Sequence, residues 1–390
     1  MRSSIQFLLT LLAVVALALL LRYIEQETGQ FIVRLVALAG IWIVASASLN
    51  LVNGTLGILS LGHSGFMLLG GYVVTILMTP HVAKLRVIQA PIGLGLVSPW
   101  VLDVNLNWLT TNQHLQFIIC LALGGVVAAA VGFLVGAPAF RLRGDYLAIV
   151  TFAFGEIIRI VLEALSRISN GPLGYSGIPT LAKGLWWTWG TAGITIFVIA
   201  QLCKSSFGRA LKAIREDETA AESMGINLFR HKILALVISA FFAGVAGGLY
   251  ASWLAAITPG TYTFSLTFLF LVAIGFGGLG SITGAVLGAL VITFLPELLR
   301  SLEGQQVIFG QTVQIFGLRQ VILSLILVLT MIFYRRGLMG YSEFHWEWFT
   351  SRQFKALFLG RRAQVLRSEE LAQDAWLRRS EQAPEPKQEA

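Results

Sequence analysis

The sequence predicts an all-α fold, a polytopic transmembrane helical bundle of about ten helices with both termini cytoplasmic. Three observations lead there. Of 390 residues, 56% are hydrophobic and only 12% are charged, about half the charged share of an ordinary soluble domain. The apolar residues gather in repeated runs near the ~20 residues needed to cross ~30 Å of hydrocarbon. Lysine and arginine are spread unevenly between alternate loops, and that bias sets orientation.

Taken in order, the first run, 5–21, follows Arg2 and leads into RYIEQETGQ. That flank has no small-residue cleavage site, so the run reads as a first membrane helix rather than a signal peptide. Further spans are expected at 32–52, 62–79, 115–137, 145–165, 188–203, 233–257, 264–277, 281–299 and 319–334. One set of loops holds Arg2, Arg141, Arg143, the basic residues of 204–232, Arg335 and Arg336; the other holds Arg22, Arg34, Lys84, Arg86, Arg167, Lys183, Arg300 and Arg319. The first set is the richer and is assigned to the cytoplasm.

Residues 1–334 then form the transmembrane domain, and 335–390 a basic, aromatic cytoplasmic tail. Within the tail, 341–362 mixes aromatics with Arg352, Lys355, Arg361 and Arg362, a composition suited to lying on the inner membrane face. The end, SEQAPEPKQEA, is expected to be disordered. The net charge of +8 reads as positive-inside loops with membrane lipid as partner, not nucleic acid.

Enzyme chemistry finds no foothold. Cys120 and Cys203 lie in apolar runs without a cysteine or histidine at ligand spacing, so no disulfide framework, metal site or catalytic residue is expected. There is no G-x-x-x-x-G-K-[ST] to cradle nucleotide phosphates, so no cofactor is expected in this chain. The glycine-rich GFGGLGS at 275–281 lies between two apolar helices, not after a strand, and reads as a tight turn or broken helix.

Other features of the apolar part carry information. Glycines pair as G-x-x-x-G at Gly132/Gly136, Gly244/Gly248 and Gly284/Gly288, a pattern for close helix packing in lipid. Glu156, Arg159 and Glu163 share one helical face, where the arginine can pair with either carboxylate; such a face should look into the bundle or a wet cavity. After a turn containing Asn53, Gly54 and Gly57, Ser60 is expected to cap a helix with His63 at its third position; His63 either packs with a hydrogen bond or lines a path. The segment NGPLGYSGIP, 170–179, has three glycines and two prolines in ten residues, which shapes a helix-free external surface or a mere connector.

The densest charge before the tail is 204–232, KSSFGRALKAIREDETAAESMGINLFRHK. Ser206 is expected to cap a helix through Arg209, Lys212 and Arg215, Asp217 to cap a second over 218–224, and Gly225 to end it left-handed. Leu211, Ile214 and Met224 are available for burial. Two short capped helices make a rigid peg for a soluble partner.

Five stretches together resemble a known family: LNLVNGTLGILSLGHSGF (49–66), RLRGDYLAIVTFAFGEIIRI (141–160), SNGPLGYSGIP (169–179), FGRALKAIREDETAAESMGIN (207–227) and GGLGSITGAVLGA (277–289). They stand in the order found in permease subunits of branched-chain amino acid ABC importers, and the resemblance covers about 35–340. TAAESMG also resembles the importer EAA loop, with Ala220, Ala221 and Gly225 in register; Thr219 stands where many importers have glutamate, and Glu218 lies one place earlier.

The resemblance implies a complex of this chain with a second, related permease, two cytoplasmic ATPases that bind the ATP, and an external solute-binding protein, in a prokaryotic inner membrane. It implies hydrophobic amino acids as cargo, with a urea-importer permease as near relative. The ATPase-coupling residues would be Arg209, Lys212, Arg215, Glu216, Asp217, Glu218, Ala220, Ala221 and Gly225. Asn53, Ser60, His63, Glu156 and Arg159 are candidates for the path, and Asn170, Gly174 and Ser176 for docking the binding protein. An ATP-independent channel or secondary transporter is the rival from another class.

Overall fold

A computed structural model describes residues 2–79, 112–142, 145–300, 306–308, 311–313, 318–334, 337–340 and 343. Each of the ten expected runs coincides with a helix: α1 Arg2–Glu27, α2 Gln30–Asn50, α3 His63–Met78, α4 Gln113–Ala139, α5 Asp145–Ala164, α6 Leu185–Lys204, α9 Leu228–Leu254, α10 Phe264–Gly277, α11 Ile282–Leu298 and α12 Leu318–Phe333. Between α6 and α9 lie the short helices α7, Ser206–Glu216, and α8, Glu218–Ser223. Among the described residues, five segments are long and apolar enough to cross a membrane: Gln30–Leu56, Gln113–Ala139, Leu185–Lys204, Leu228–Leu254 and Pro259–Gly277. Helices α3 and α11 are shorter apolar helices. The chain is a multi-pass helical membrane protein. Of the tail expected at 335–390, only 337–340 and 343 are described; the remainder of the 341–362 stretch and SEQAPEPKQEA lie outside the described residues.

Helix α2 is the axis of the bundle. Nearly all of it from Val36 to Asn50 is buried, and it packs against α6, α9, α10 and α11. It does not stop at Asn50 but continues as a π-helical turn, Leu51–Leu56, every residue of which is buried. Gly57 then ends it with φ +79°, a conformation that only glycine adopts without strain.

Glycine sets the helix spacing. Apolar side chains gain nothing by leaving lipid for protein, so close van der Waals approach has to hold these helices. A methyl on Gly70 of α3 would lie 2.1–2.4 Å from the backbone of Gly244 on α9, and one on Gly247 would lie 1.8 Å from Met67 O. Gly132 and Gly136 face Ala240 and Leu236, Gly244 faces Gly124 and Ala128, and Gly284 and Gly288 face Gly277 and Ala273. The three predicted G-x-x-x-G stripes are therefore packing seams. Buried threonines among them satisfy themselves locally: Thr75 and Thr293 donate to the carbonyls of Gly71 and Ala289, at 2.8 and 2.7 Å.

At one end of α9 stands the charged pair α7–α8. At the other end, about 40 Å along the helix, Ala256–Ile257 pairs antiparallel with Tyr175–Ser176. That pairing, with Ser252 Oγ donating to Pro179 O at 2.7 Å, fastens the 170–179 segment to α9. The segment is not helix-free as predicted: Gly171–Leu173 forms a 3-10 turn, made possible by left-handed Asn170 at φ 60° and locked by Asn170 Nδ2 donating to Gly174 O at 2.7 Å.

Gly70→Ala should destabilise the purified protein by about 1–3 kcal/mol, the usual cost of overpacking. Gly190→Ala should not, because nothing lies within 4 Å of the added methyl. Thermal midpoints in detergent check the pair; equal midpoints would contradict the close α3–α9 approach.

Candidate functional site

The site is the charged end, where α7 and α8 rest on the bundle. Alternating charge and apolarity decide how they lie: Leu211 and Ile214 of α7 and Ala221 of α8 are buried, while Lys212, Glu216, Glu218 and Glu222 point outward or stay half covered. Burial of a side chain the size of leucine contributes about 1.5–3 kcal/mol, so these contacts seat the pair. Met224 does not join them. It is 83% exposed, because it follows the last turn of α8 and lies beyond the face that meets the bundle.

The caps fix the angle between the two helices. Ser205, one residue earlier than predicted, caps α7 by accepting from Gly208 N at 3.4 Å; Ser206 is already the first helical residue. Asp217 caps α8 as predicted, its Oδ1 accepting from Thr219 N and Ala220 N at 2.8 and 3.0 Å. Gly225 ends α8 with φ +82°. Asn227 then caps α9, its Oδ1 accepting from Arg230 N at 2.9 Å.

Two polar contacts tie this unit to the membrane helices. Lys232, almost wholly buried at the start of α9, pairs with Glu218 at 2.6 Å. Arg215 at the end of α7 donates from Nη1 to Gly54 O at 3.2 Å, and pairs with its neighbour Glu216 at 2.8 Å. Its stem passes where a methyl on Gly57 would sit, 2.3 Å from Arg215 Cγ. Beneath it, Asn50 accepts from Gly280 N and donates to Ser281 O, both at 3.0 Å, clamping the π-turn of α2 to the α10–α11 turn. Gly54 is forced by this clamp, since a methyl there would lie 2.3 Å from Gly280 N. GFGGLGS is thus the predicted tight turn, with Ser281 capping α11 by accepting from Gly284 N at 3.0 Å.

The remaining predicted residues fall elsewhere. Ser60 does not cap α3. That helix starts at His63 with Gly62 as its flanking residue, so His63 is the first helical position, not the third; Ser60 is instead held in a two-way bond with Asn53, whose Oδ1 accepts from Ser60 N at 3.1 Å and whose Nδ2 donates to Ser60 O at 3.3 Å. His63 is buried, with Nε2 3.1 Å from both Ser48 Oγ and Ala45 O. On α5, Arg159 bridges both carboxylates, Glu156 at 2.7 Å and Glu163 at 2.9 Å, and all three are part exposed. Near the opposite end, Gly174 is buried and Ser176 exposed; a methyl on Gly174 would lie 1.8 Å from Ile257 O.

Sequence reasoning missed Asn50, Lys232 and Glu343. A lone amide ending an otherwise apolar run was the signal for Asn50, and the fourteen-residue separation of Lys232 from Glu218 hid a pair that only the helical hairpin brings together. Glu343 accepts from Ile282 N at 2.7 Å and from Thr283 N at 3.1 Å, closing the start of α11 from beyond the last membrane helix.

Glu218→Gln should leave the buried Lys232 without its counter-charge and destabilise the protein by about 1–3 kcal/mol. Adding Lys232→Met should recover part of that loss, because a buried pair is harmed more by losing one partner than both. Melting curves of the single and double variants decide it; additive losses would mean the two residues act independently.

Comparison with known proteins gives this geometry a context. The chain is 34% identical to the "High-affinity branched-chain amino acid transport system permease protein LivM" of Escherichia coli (strain K12), over 69% of this chain and 63% of that one. It is 27% identical to the "Probable branched-chain amino acid transport permease protein LivM" of Methanocaldococcus jannaschii, over 67% and 79% of the two chains. Identity to the E. coli LivH permease protein is 24%, over 66% and 81%. The chain spans less than two thirds of the length of the E. coli LivM it matches. No solved structure matches. The family model for the branched-chain amino acid transport system permease component matches residues 31–335, and the protein belongs to that family.

Proposed function

We propose that this chain is a membrane-spanning permease subunit of an ATP-binding-cassette importer of branched-chain and other neutral amino acids. Separate ATPases would bind and hydrolyse the ATP, docking on α7–α8 at the cytoplasmic face of a prokaryotic inner membrane, with both chain termini on that side. A second, related permease chain would complete the translocation path, and an external solute-binding protein would dock near Asn170, Gly174 and Ser176. The reading takes its cargo from the relatives' names and its ATPase and binding-protein partners from the resemblance carried by the five stretches.

The observation that carries it is the anchored helix pair at the charged end. Coupling to an external motor needs a surface element that is rigid and mechanically joined to the bundle. Capped α7–α8 meets both needs: Arg215 reaches the π-turn of α2, and Glu218 grips Lys232 of α9. When the ATPases close, displacement of α7 is passed through Arg215 to the α2 and α10–α11 ends, and displacement of α8 through Glu218 to α9. Polar residues of the bundle, namely Asn53, Ser60, His63, Glu156 and Arg159, are the candidates to line the path. Glu156 and Arg159 suit that role because charged groups left part exposed along a membrane helix require water or a polar partner.

Reconstitution of the permease pair, ATPases and binding protein into liposomes tests the reading. Leucine uptake should require ATP and all components. Arg215→Ala should lower uptake about tenfold, equivalent to about 1.4 kcal/mol of lost coupling. Uptake that follows an ion gradient and ignores ATP would overturn the importer assignment, and uptake of urea in place of leucine would overturn the cargo.

A further inference from the structure

Beyond α12 the chain turns back onto the charged end. Gly337–Gly340 lies along the end of α10, with Leu338 N donating to Phe276 O and Met339 N to Gly277 O, both at 2.9 Å. Met339 is buried there. Gly337 has φ +74°, and a methyl on it would lie 2.5 Å from the backbone of Gly278. Three residues later, Glu343 places one oxygen 2.7 Å from Ile282 N and the other 3.1 Å from Thr283 N and 3.0 Å from Thr283 Oγ1. A carboxylate that accepts backbone N–H groups in the first turn of a helix is favoured both by those charge-assisted bonds and by the helix dipole.

These contacts converge on the α10–α11 turn, the same turn that Asn50 clamps to α2. Arg215 also reaches this turn: a methyl on Gly280 would sit 3.0 Å from Arg215 Nη1. One short turn is therefore contacted both by a cation from α7 and by an anion from the segment after α12. The matched family region ends at residue 335, so this anion comes from outside it.

We infer that Glu343 is a positioning residue for coupling: it fixes the α10–α11 turn so that motion of Arg215 moves the bundle instead of deforming the turn. A turn of four residues containing Gly278 and Gly280, both at positive φ, has little stiffness of its own. The helix cap from Glu343 and the backbone bonds of Leu338 and Met339 supply that stiffness from behind. The coupling part rests on the importer reading above; the contact itself does not.

Two measurements on the full-length chain test it. In the purified permease, Glu343→Gln should raise hydrogen exchange at the Ile282 and Thr283 amides about tenfold, the loss expected for a charge-assisted bond to buried backbone. Unchanged exchange would overturn the contact. In liposomes holding the complete transporter, Glu343→Gln should lower leucine moved per ATP hydrolysed, while Glu343→Asp restores part of that ratio. A wild-type ratio in Glu343→Gln would overturn the positioning role. A parallel fall in uptake and ATP hydrolysis, matching a fall in folded protein, would also overturn it and leave a merely structural cap. Wild-type liposomes that move no amino acid would overturn the importer reading and the coupling part with it, and the exchange result would still stand.

Discussion

The structure depends on one crossing of backbone over backbone. The π-turn that ends α2 meets the turn between α10 and α11 so closely that Gly54 has no room for a side chain, its added methyl lying 2.3 Å from Gly280 N, and the amide of Asn50 bonds across the contact to Gly280 N and Ser281 O. At such a distance polar backbone groups are shielded from water, so each needs a partner in the protein. Asn50 offers one acceptor and one donor at the right places. Everything at the charged end is arranged around this crossing: Arg215 bonds to Gly54 O, Ser281 starts α11, and Glu343 completes the cap.

The crossing also explains why the helix irregularity sits where it does. An α-helix continued past Asn50 would keep its carbonyls engaged with its own amides. Widening to a π-turn alters that ladder and turns the Gly54 carbonyl toward α7, which lets a side chain from outside the membrane helices bond to the backbone of the central one. Such bulges cluster at functional sites because they free backbone groups at modest cost. Elsewhere the bundle is held by glycine-lined seams, a rigid framework against which movement at one end has a definite meaning.

Much of this was legible in the sequence. Each apolar run coincides with a helix, because a continuous apolar stretch buried in such a bundle can satisfy its backbone groups only within itself; which helices cross is less legible, since five segments are of spanning length among the described residues and α3 and α11 are shorter. The Asp217 cap, the left-handed Gly225 and the Glu156–Arg159–Glu163 ladder were equally readable, since each depends only on neighbours along the chain. The misses share a cause. Ser60 looks like a cap, but its backbone is claimed by Asn53; Met224 looks available for burial, but it lies past the face that packs. Lys232 and Glu343 find partners 14 and 60 or 61 residues away, and no local pattern announces such meetings. Cap position itself slipped by one residue at Ser205, the scale on which helix ends are ordinarily uncertain.

Helix α9 has a consequence of its own. Its first turn is held to α8 by Lys232, and its last leads directly into the strand pair with Tyr175–Ser176. Between them it is packed closely through Gly244, Gly247 and Gly248 against α3 and α4. Where α9 tilts as one body, a ligand on the 170–179 surface that prefers one tilt changes affinity for any ligand at α8 that also distinguishes the tilts, and the reverse effect has the same factor. Thermodynamic linkage makes that exchange symmetric: whichever tilt of α9 is favoured at one end is favoured to the same degree at the other.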